Sequence, residues 1–489
     1  MSKIYFSEIF NVSKESLDNY GAFNISLVTD LPLFIDPFLL FNSEKPEYRK
    51  LHDEIISYLK FLREKSSSGE KMSVGSLKNW YIFSEVKQNW FGYSQVGNSG
   101  RGLANEFAKS LNENLHFVFS DFSEETITKG SHLEKLCLIR EGVGKDNISD
   151  FVTNLIKDYL LTYTESFAKE NIPAEMRKDI YVRKAVFNYE TESWQTKKYN
   201  LPYYNHDYVL LTPKNLLTKE DIWINKDDLV DDFEQLPYAV SNQELRAEIN
   251  NYFNQQLSKK PSKKERSAAA QKTLIKYPEL IDYYIKSKEE NGDSAVSISS
   301  EYVKESEDYY IENISTLIDI LQSKTQFYTI EESDSYKEAI KRGMYFKDVI
   351  ENKDGYKSFY VNGQPIKRET DDQIGYRLVW YGTKYDVNRE PNNGRGPADF
   401  TVSMGSNNKT VVEMKLASNS KLRQNLEKQA EIYAKANNTE KIVKIIIFFT
   451  EGEQKKVLTI LNELGLAGKV NVILIDARND NKPSASNVK

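Results

Sequence analysis

Apolar and polar positions alternate most regularly in the last quarter of the chain. Residues 369–381 carry Ile374, Leu378 and Val379 as an apolar stripe at helical spacing. The elements predicted from this region, in chain order, are a helix over 369–381, strands over 398–404 and 410–416, a helix over 421–436, a strand over 443–449, a helix over 453–464 and a strand over 470–475. The continuous apolar run at 445–449 is typical of a strand that is covered on both faces. We therefore predict a mixed sheet flanked by helices.

The first 250 residues predict a larger mixed α/β body, with less regular patterning. Short apolar strands are expected at 23–28 and 208–212, and helices are expected at 47–64 and 148–167. Few glycines and prolines separate these segments. The body carries no motif that would assign it a chemistry.

Two blocks of opposite charge follow this body. Residues 258–277 hold seven basic residues against one acidic residue, and residues 289–308 hold seven acidic residues against one lysine. Such blocks predict a solvated helical connector, and a basic arm that contacts phosphate is the alternative. The chain is thus expected to be an α/β (α+β) multi-domain protein. Its expected parts are the body at 1–250, the connector at 251–330, a C-terminal domain at 331–478 and a disordered tail at 479–489.

Composition narrows the possible classes of function. A length of 489 residues suits about three domains. The 66 basic and 72 acidic residues give a net charge of −6, so nucleic acid would have to bind in a local groove. One cysteine and four histidines exclude a disulfide framework and make a Cys/His zinc site untenable. No apolar run suits a membrane span or a signal peptide, so we expect a cytoplasmic protein that does not bind a membrane.

The two predicted strands after the glycine-rich loop at 392–396 each have one apolar and one polar face. In the second strand Met414 points to the apolar side, whereas Glu413 and Lys415 share the polar side. The turn between the strands is centred near residue 406, so the numbers of paired residues should sum to about 812. Asp399 of the first strand is then expected opposite Glu413.

Two carboxylates in opposed positions repel each other unless a cation joins them. Mg²⁺ accepts carboxylate oxygens, a backbone carbonyl and waters, so a divalent ion suits this pair. Lys415 lies two residues beyond Glu413 on the same face, where its ammonium could hold an attacking water or an anionic phosphate. The alternative is a salt-bridged hairpin of Asp399, Glu413 and Lys415 with no catalytic role.

This Asp and Glu-x-Lys arrangement resembles the PD-(D/E)xK nuclease superfamily. Pro397 and Asp399 match its first half, with one intervening residue, and Glu413-Met414-Lys415 matches its second half. In the following helix Gln429 and Tyr433 resemble the Gln-x-x-x-Tyr signature of the RecB-like exonuclease branch. The resemblance covers residues 366–475 and implies a restriction-endonuclease-like mixed sheet. It also implies an additional first strand, for which 384–389 is the best candidate.

The resemblance also implies roles for individual residues. It implies a magnesium-dependent (or manganese-dependent) deoxyribonuclease, acting as an endo- or exonuclease. The catalytic residues would be Asp399, Glu413, Lys415 and Gln429, and Tyr433 would contact substrate. The metal ligands would be Asp399, Glu413, the Met414 carbonyl and an acidic residue of the preceding helix. Separately, Arg395 lies in the glycine-rich loop, where it is a candidate for a contact with a substrate phosphate. For the acidic residue of the preceding helix, Glu369 is the first candidate and Asp372 is its competitor. A solvated loop arginine is the alternative for Arg395.

The layout of the whole chain resembles that of uncharacterised bacterial proteins encoded among anti-phage defence and restriction genes. The superfamily resemblance implies a nuclease that acts on nucleic acid, with DNA favoured. The layout adds the expectation of a role in anti-phage defence or restriction, and we expect a homo-oligomer with a possible partner protein from a neighbouring gene. A catalytically inactive module that binds nucleic acid or a partner, and a DNA repair or recombination exonuclease, are the alternatives. Residues 1–250 are expected to act as a sensor, specificity or oligomerisation module. A 310–489 fragment is therefore expected to be a less selective nuclease.

Overall fold

The structure is a computed structural model that describes residues 3–67, 73–92, 111, 115, 125–139, 144–329, 333–388, 400–404, 408–429 and 439–482. It is a mixed α/β structure in which helices lie against several small sheets. The mixed α/β class predicted from the sequence is therefore confirmed.

Helices account for most of the regular structure in the described part of the chain. They are α1 (Phe6–Ile9), α2 (Lys14–Tyr20), α3 (Pro37–Phe41), α4 (Pro46–Ser67), α5 (Val74–Trp80), α6 (Lys135–Ile139), α7 (Lys145–Leu155), α8 (Lys157–Asn171), α9 (Lys226–Asp231), α10 (Gln243–Gln255), α11 (Lys263–Lys276), α12 (Glu279–Glu290), α13 (Gly292–Ser306), α14 (Ile314–Lys324), α15 (Ser335–Asn352), α16 (Glu369–Trp380), α17 (Leu422–Gln424) and α18 (Glu451–Glu463). Two π-helical segments, Glu307–Asn313 and Asn425–Gln429, directly follow α13 and α17.

The strands are short except for one hairpin and the central strands of the C-terminal sheet. They are β1 (Phe34–Ile35), β2 (Arg177–Asn188), β3 (Ser193–Tyr204), β4 (Asp207–Tyr208), β5 (Leu217–Thr218), β6 (Tyr360–Val361), β7 (Gln364–Pro365), β8 (Asp386–Asn388), β9 (Phe400–Ser403), β10 (Lys409–Leu416), β11 (Ile442–Phe448) and β12 (Val472–Asp476).

The C-terminal sheet has five strands among the described residues, in the order β12-β11-β10-β9-β8. Strands β8, β9 and β10 form an antiparallel meander, whereas β11 and β12 run parallel to β10. Each parallel pair needs a crossover connection; α17 follows β10, and α18 connects β11 to β12. The predicted order of strands and of the other helices is confirmed among the described residues, as is the weak first strand expected at 384–389. Of the helix predicted over 421–436, the structure describes only the part up to residue 429, in which three α-helical residues precede a π-helical segment.

Both faces of this sheet are covered. The face that carries Val412, Met414 and Ile445 joins the main core beneath α15 and α16. At Gly343 of α15 an added Cβ would lie 2.5 Å from the Ile473 side chain, so glycine permits this close approach of helix to sheet. The opposite face packs beneath α17 and α18 in a smaller cluster of buried apolar residues. The side predicted to be polar is therefore also buried.

The N-terminal part departs from the prediction in its strands. The strands expected at 23–28 and 208–212 do not form as predicted. Apolar side chains of both segments enter the core, but their backbones make only isolated bridges or, at Tyr208, part of a two-residue strand. The helix expected over 148–167 is interrupted at Ile156, where α7 ends and α8 begins. A long hairpin of β2 and β3, which the pattern did not predict, packs against α8.

The segment predicted as a connector is helical, and many of the charged residues in its two blocks are exposed, but its apolar side chains pack into the core. In α12 the side chains of Leu280, Ile281, Tyr284 and Ile285 are buried, and so are Lys288 and Glu289 at its end. A contiguous cluster of buried apolar side chains extends from Ile4 to Ala477 and includes this region. The first and last parts of the chain therefore share a core.

Within the described ranges, no helix combines the length and the apolar character that a membrane span requires.

Candidate functional site

Strand β10 carries the Glu413-Met414-Lys415 motif at the centre of the C-terminal sheet. Its antiparallel register with β9 pairs Val412 with Phe400 and Lys409 with Ser403, so paired numbers sum to 812 as predicted. The position after Val412 is Glu413, and its partner in a continued register would be residue 399. Asp399 itself lies outside the described residues.

Glu413 and Lys415 lie on the same face of β10 and are in contact. The Lys415 Nζ is 3.6 Å from Glu413 Oε2, and their side chains are 8% and 4% exposed. The Met414 side chain points to the other face and is buried in the main core. Period-2 alternation thus places a buried ion pair on one side of the strand and an apolar anchor on the other.

Glu369, the first residue of α16, completes this group. Its Oε2 lies 3.7 Å from the Lys415 Nζ, so one ammonium faces the carboxylates of Glu369 and Glu413. Its Oε1 accepts hydrogen bonds from the Leu416 backbone amide at 3.3 Å and from the Asn419 Nδ2 at 2.7 Å. The Glu369 side chain is 23% exposed and is the most accessible of the three.

The position of Glu369 also follows from the local chemistry of its helix. The first turn of α16 contains Glu369, Asp371 and Asp372, and carboxylates are favoured there because the helix N-terminus carries partial positive charge. Asp372, the competitor, is instead buried near Tyr309. Burial and, secondarily, the charges of Asp372 and Asp371 raise the pKa of Tyr309. Glu369, the first candidate, lies next to Lys415.

Lys444 of β11 is a buried neighbour of this group that the sequence analysis missed. It pairs with Glu413 in the parallel register, and its Nζ donates to the Leu426 carbonyl at 2.6 Å. That carbonyl belongs to the π-helical segment that ends at Gln429. The available signal was a single lysine inside an otherwise apolar strand, where burial demands a hydrogen-bonding partner.

Asn419 is the second neighbour that was missed. It follows β10 by three residues, and its amide holds the Glu369 carboxylate from a turn. Nothing in the spacing of the motif indicated this contact, because it depends on how α16 approaches the sheet.

The helix predicted to carry Gln429 departs from regular α geometry. Leu422 and Leu426 are buried in the smaller cluster, as the predicted inward-facing stripe requires. The backbone changes from α17 to a π-helix at Asn425, which alters the angular spacing of residues 425–429. Arg395, Tyr433 and the Gln429 side chain, like Asp399, lie outside the described residues, so their predicted roles stay predictions.

The described residues contain no group of three or more His, Cys, Asp or Glu side chains arranged to hold a metal ion. Glu413 and Glu369 nevertheless provide carboxylate oxygens on either side of Lys415. Carboxylates and a backbone carbonyl are donors for hard cations such as Mg²⁺. In the described part of the site, a lysine ammonium supplies the positive charge between these carboxylates.

Two family models match separate parts of the chain. One is described as Domain of unknown function (DUF8370) and matches residues 11–225. The other is described as Domain of unknown function (DUF8371) and matches residues 335–451. No curated protein and no solved structure matches the chain. The second matched segment contains every candidate site residue, from Glu369 to Tyr433, whereas the first ends shortly before α9.

Proposed function

We propose that the chain is a metal-dependent nuclease that hydrolyses phosphodiester bonds, with DNA as the favoured substrate. The observation that supports this proposal is the grouping of Glu413, Lys415 and Glu369 on a buried strand face. The β9–β10 register adds to it, because one further pair in that register would bring Asp399 opposite Glu413. The five-strand order and the antiparallel meander suit the restriction-endonuclease-like fold that the motif implies.

The donor set of this group fits a hard divalent cation. Asp399, Glu413 and the Met414 carbonyl would hold Mg²⁺ or Mn²⁺, and Glu369 would contribute directly or through water. When bound, such an ion supplies Lewis acidity toward a phosphoryl oxygen and lowers the pKa of a bound water.

Lys415 would have two tasks in the reaction. Its ammonium already lies within 3.7 Å of two carboxylates, so it would hold them in place. It would also donate a hydrogen bond to the attacking water or to a phosphate oxygen, which stabilises the negative charge that develops during hydrolysis. Arg395 and Tyr433 would contact substrate, and Gln429 would orient groups at the active site.

The chain is proposed to act in the cytoplasm, in anti-phage defence or restriction, as a homo-oligomer and with a possible partner protein. This part of the proposal depends on the resemblance of the whole chain and on the large body that precedes the nuclease residues. An uncontrolled nuclease would damage the host genome, so the body is proposed to limit when or where cleavage occurs. A repair exonuclease is the alternative within the same chemistry.

The test is cleavage of plasmid, linear DNA and RNA by the full chain in Mg²⁺, Mn²⁺ or EDTA. We expect metal-dependent products from DNA, and loss of those products in Lys415→Met. A matched control is Lys441→Met in the same domain, because Lys441 pairs with Asp334 at a partly exposed position. Full cleavage by Lys415→Met would refute the assignment. Tight DNA binding without cleavage in either metal would favour an inactive binding module.

A further inference from the structure

Helix α16, which begins with Glu369, is fixed at its first turn by a buried ion pair with the N-terminal part of the chain. The Lys219 Nζ donates to Asp371 Oδ2 at 3.0 Å, and the two side chains are 8% and 9% exposed. The Tyr310 hydroxyl donates to the other Asp371 oxygen. Both oxygens of a buried carboxylate are thus bonded, which makes the position of Asp371 strongly defined.

Further contacts of α16 lead to the same part of the chain. Arg368, the residue before the helix, pairs with Glu220, which directly follows Lys219. Near the other end of the helix, the Arg377 Nη1 donates to the Thr29 Oγ1 at 3.2 Å. One helix is therefore attached along its length to residues that lie within the 11–225 segment.

The residues that hold Lys219 are themselves anchored in the core. Lys219 directly follows β5, and β5 pairs with β1 through Phe34↔Thr218. The Lys219 Nζ also lies 5.6 Å from the centre of the Tyr310 ring, on the π-helical segment Glu307–Asn313. A movement of β5 or of this segment would therefore be transmitted to Asp371.

Asp371 and Glu369 are two residues apart in the first turn of α16, so their backbone positions are coupled. The Glu369 carboxylate must meet three partners at once: the Lys415 ammonium, the Leu416 amide and the Asn419 amide group. Each of these distances is already between 2.7 and 3.7 Å. A small rotation of the first turn would break this arrangement, because hydrogen bonds weaken steeply outside their preferred geometry.

We propose that Lys219 and Asp371 are positioning residues for Glu369. Through this ion pair, the N-terminal part of the chain holds the Glu369 carboxylate beside Lys415 and thereby completes the candidate site. The catalytic consequence rests on the proposed nuclease function, whereas the structural coupling does not. The body would then act on the site through α16, and its state would set the geometry of Glu369.

The experiment compares full-length Lys219→Met and Asp371→Asn with wild type. In a cleavage assay, the Mn²⁺ concentration for half-maximal rate should rise about tenfold in each variant, as is typical when a group behind a metal ligand is lost. Lys219→Arg, which keeps the charge, should restore most of the wild-type metal dependence. Asp371→Asn keeps the shape of the side chain and a carbonyl acceptor for the Tyr310 hydroxyl. It therefore tests the same ion pair if Lys219→Met fails to fold.

Hydrogen exchange provides a measurement that does not depend on catalysis. The Leu416 amide donates to Glu369, so residues 416–419 and the first turn of α16 should exchange faster in Lys219→Met. The matched control is Glu289→Gln. This substitution weakens a different buried contact, between Glu289 and His132 at 2.8 Å. Glu289 also accepts hydrogen bonds from the Lys129 backbone amide, so its described contacts lie away from α16. It should leave exchange at 416–419 and the metal dependence unchanged.

The outcomes separate the two proposals. Unchanged metal dependence and unchanged exchange at 416–419 in folded Lys219→Met would overturn the positioning role. An equal change in Glu289→Gln would also overturn it, because the effect would then be general destabilisation. Faster exchange at 416–419 in Lys219→Met, together with a wild type that cleaves nothing in Mg²⁺ or Mn²⁺, would refute the nuclease and support the coupling of Lys219 to Glu369.

Discussion

Replacing Lys415 by methionine removes the ammonium that faces Glu413 and Glu369 while keeping most of the side-chain volume. Because Lys415 and Glu413 are both less than a tenth exposed, water cannot readily replace the lost partner. The two carboxylates would then lie close together with less compensating charge. We therefore expect Lys415→Met to lower the free energy of unfolding as well as to abolish cleavage. The sequence alone predicts that this face of β10 is polar. Because the structure shows that the face is also buried, the substitution should reduce stability as well as activity.

The size of the effect follows from the distance. At 3.6 Å, two unit charges in an effective dielectric of about 20 attract by about 4–5 kcal/mol. Desolvation of the pair offsets part of this gain, but breaking a buried pair by removing one partner typically costs about 3–5 kcal/mol. Neutralising both groups, in Glu413→Gln with Lys415→Met, removes the uncompensated charge. We expect the double variant to recover about 2–3 kcal/mol relative to the sum of the single variants.

The assay is urea unfolding, monitored by circular dichroism, of full-length wild type, the two single variants and the double variant. The four free energies of unfolding are combined in a double-mutant cycle. Lys441→Met, in a partly exposed pair, should change stability by less than about 1 kcal/mol. A coupling energy near zero would mean that Lys415 and Glu413 do not interact in the native protein, and the reasoning from their contact would fail. Cleavage by the double variant would refute the catalytic part.

Other substitutions test the packing of α16, a buried carboxyl group in the N-terminal part and the buried lysine of β11. Gly375→Ala should destabilise the protein by about 1–3 kcal/mol, because an added Cβ would lie 2.8 Å from the Ile314 side chain; differential scanning calorimetry measures this. Burial raises the pKa of Glu134 to about 8, so its stabilising contribution is complete below pH of about 4.5 and is lost as pH rises through about 8. Glu134→Gln should therefore gain stability over wild type at pH 9 and match it at pH 4.5 in urea titrations. Lys444→Met removes the hydrogen bond to the Leu426 carbonyl and should lower the cleavage rate about tenfold or more, whereas metal binding measured by calorimetry should change less.

The C-terminal sheet could be predicted because its signals are local. Alternating faces, a short turn and a fully apolar strand each follow from residues within a few positions of one another. The β9–β10 register followed from the centre of the turn alone and is confirmed over its described pairs. Glu369 was identified only as an acidic residue on the preceding helix, and its contact with Lys415 depends on the docking of α16.

The N-terminal part could be predicted less well, because its signals depend on tertiary structure. Residues 23–28 are apolar enough for a strand and are largely buried, yet their backbone pairs with residues 4–6 only through the isolated bridge Tyr5↔Ser26 and two adjacent hydrogen bonds. Most residues of the β2–β3 hairpin are exposed or only partly buried, and buried and exposed positions do not alternate regularly along either strand, so the pattern of a half-buried strand is weak. Its register also shifts between Val182 and Val186, which interrupts any regular period.

The shared core changes how the role of the N-terminal body should be understood. A 310–489 fragment would lose Lys219, the buried partner of Asp371, and would also lose Tyr5, whose hydroxyl donates to the Tyr310 carbonyl. Removing residues 1–309 would also expose apolar side chains that the C-terminal residues bury in the shared core, and this loss acts against the roughly 5–15 kcal/mol that typically stabilises a protein. Such a fragment would lose its fold before it showed any loss of selectivity. Control of the site by the body therefore has to be sought in the full chain, where substitutions at the α16 contacts separate control from folding.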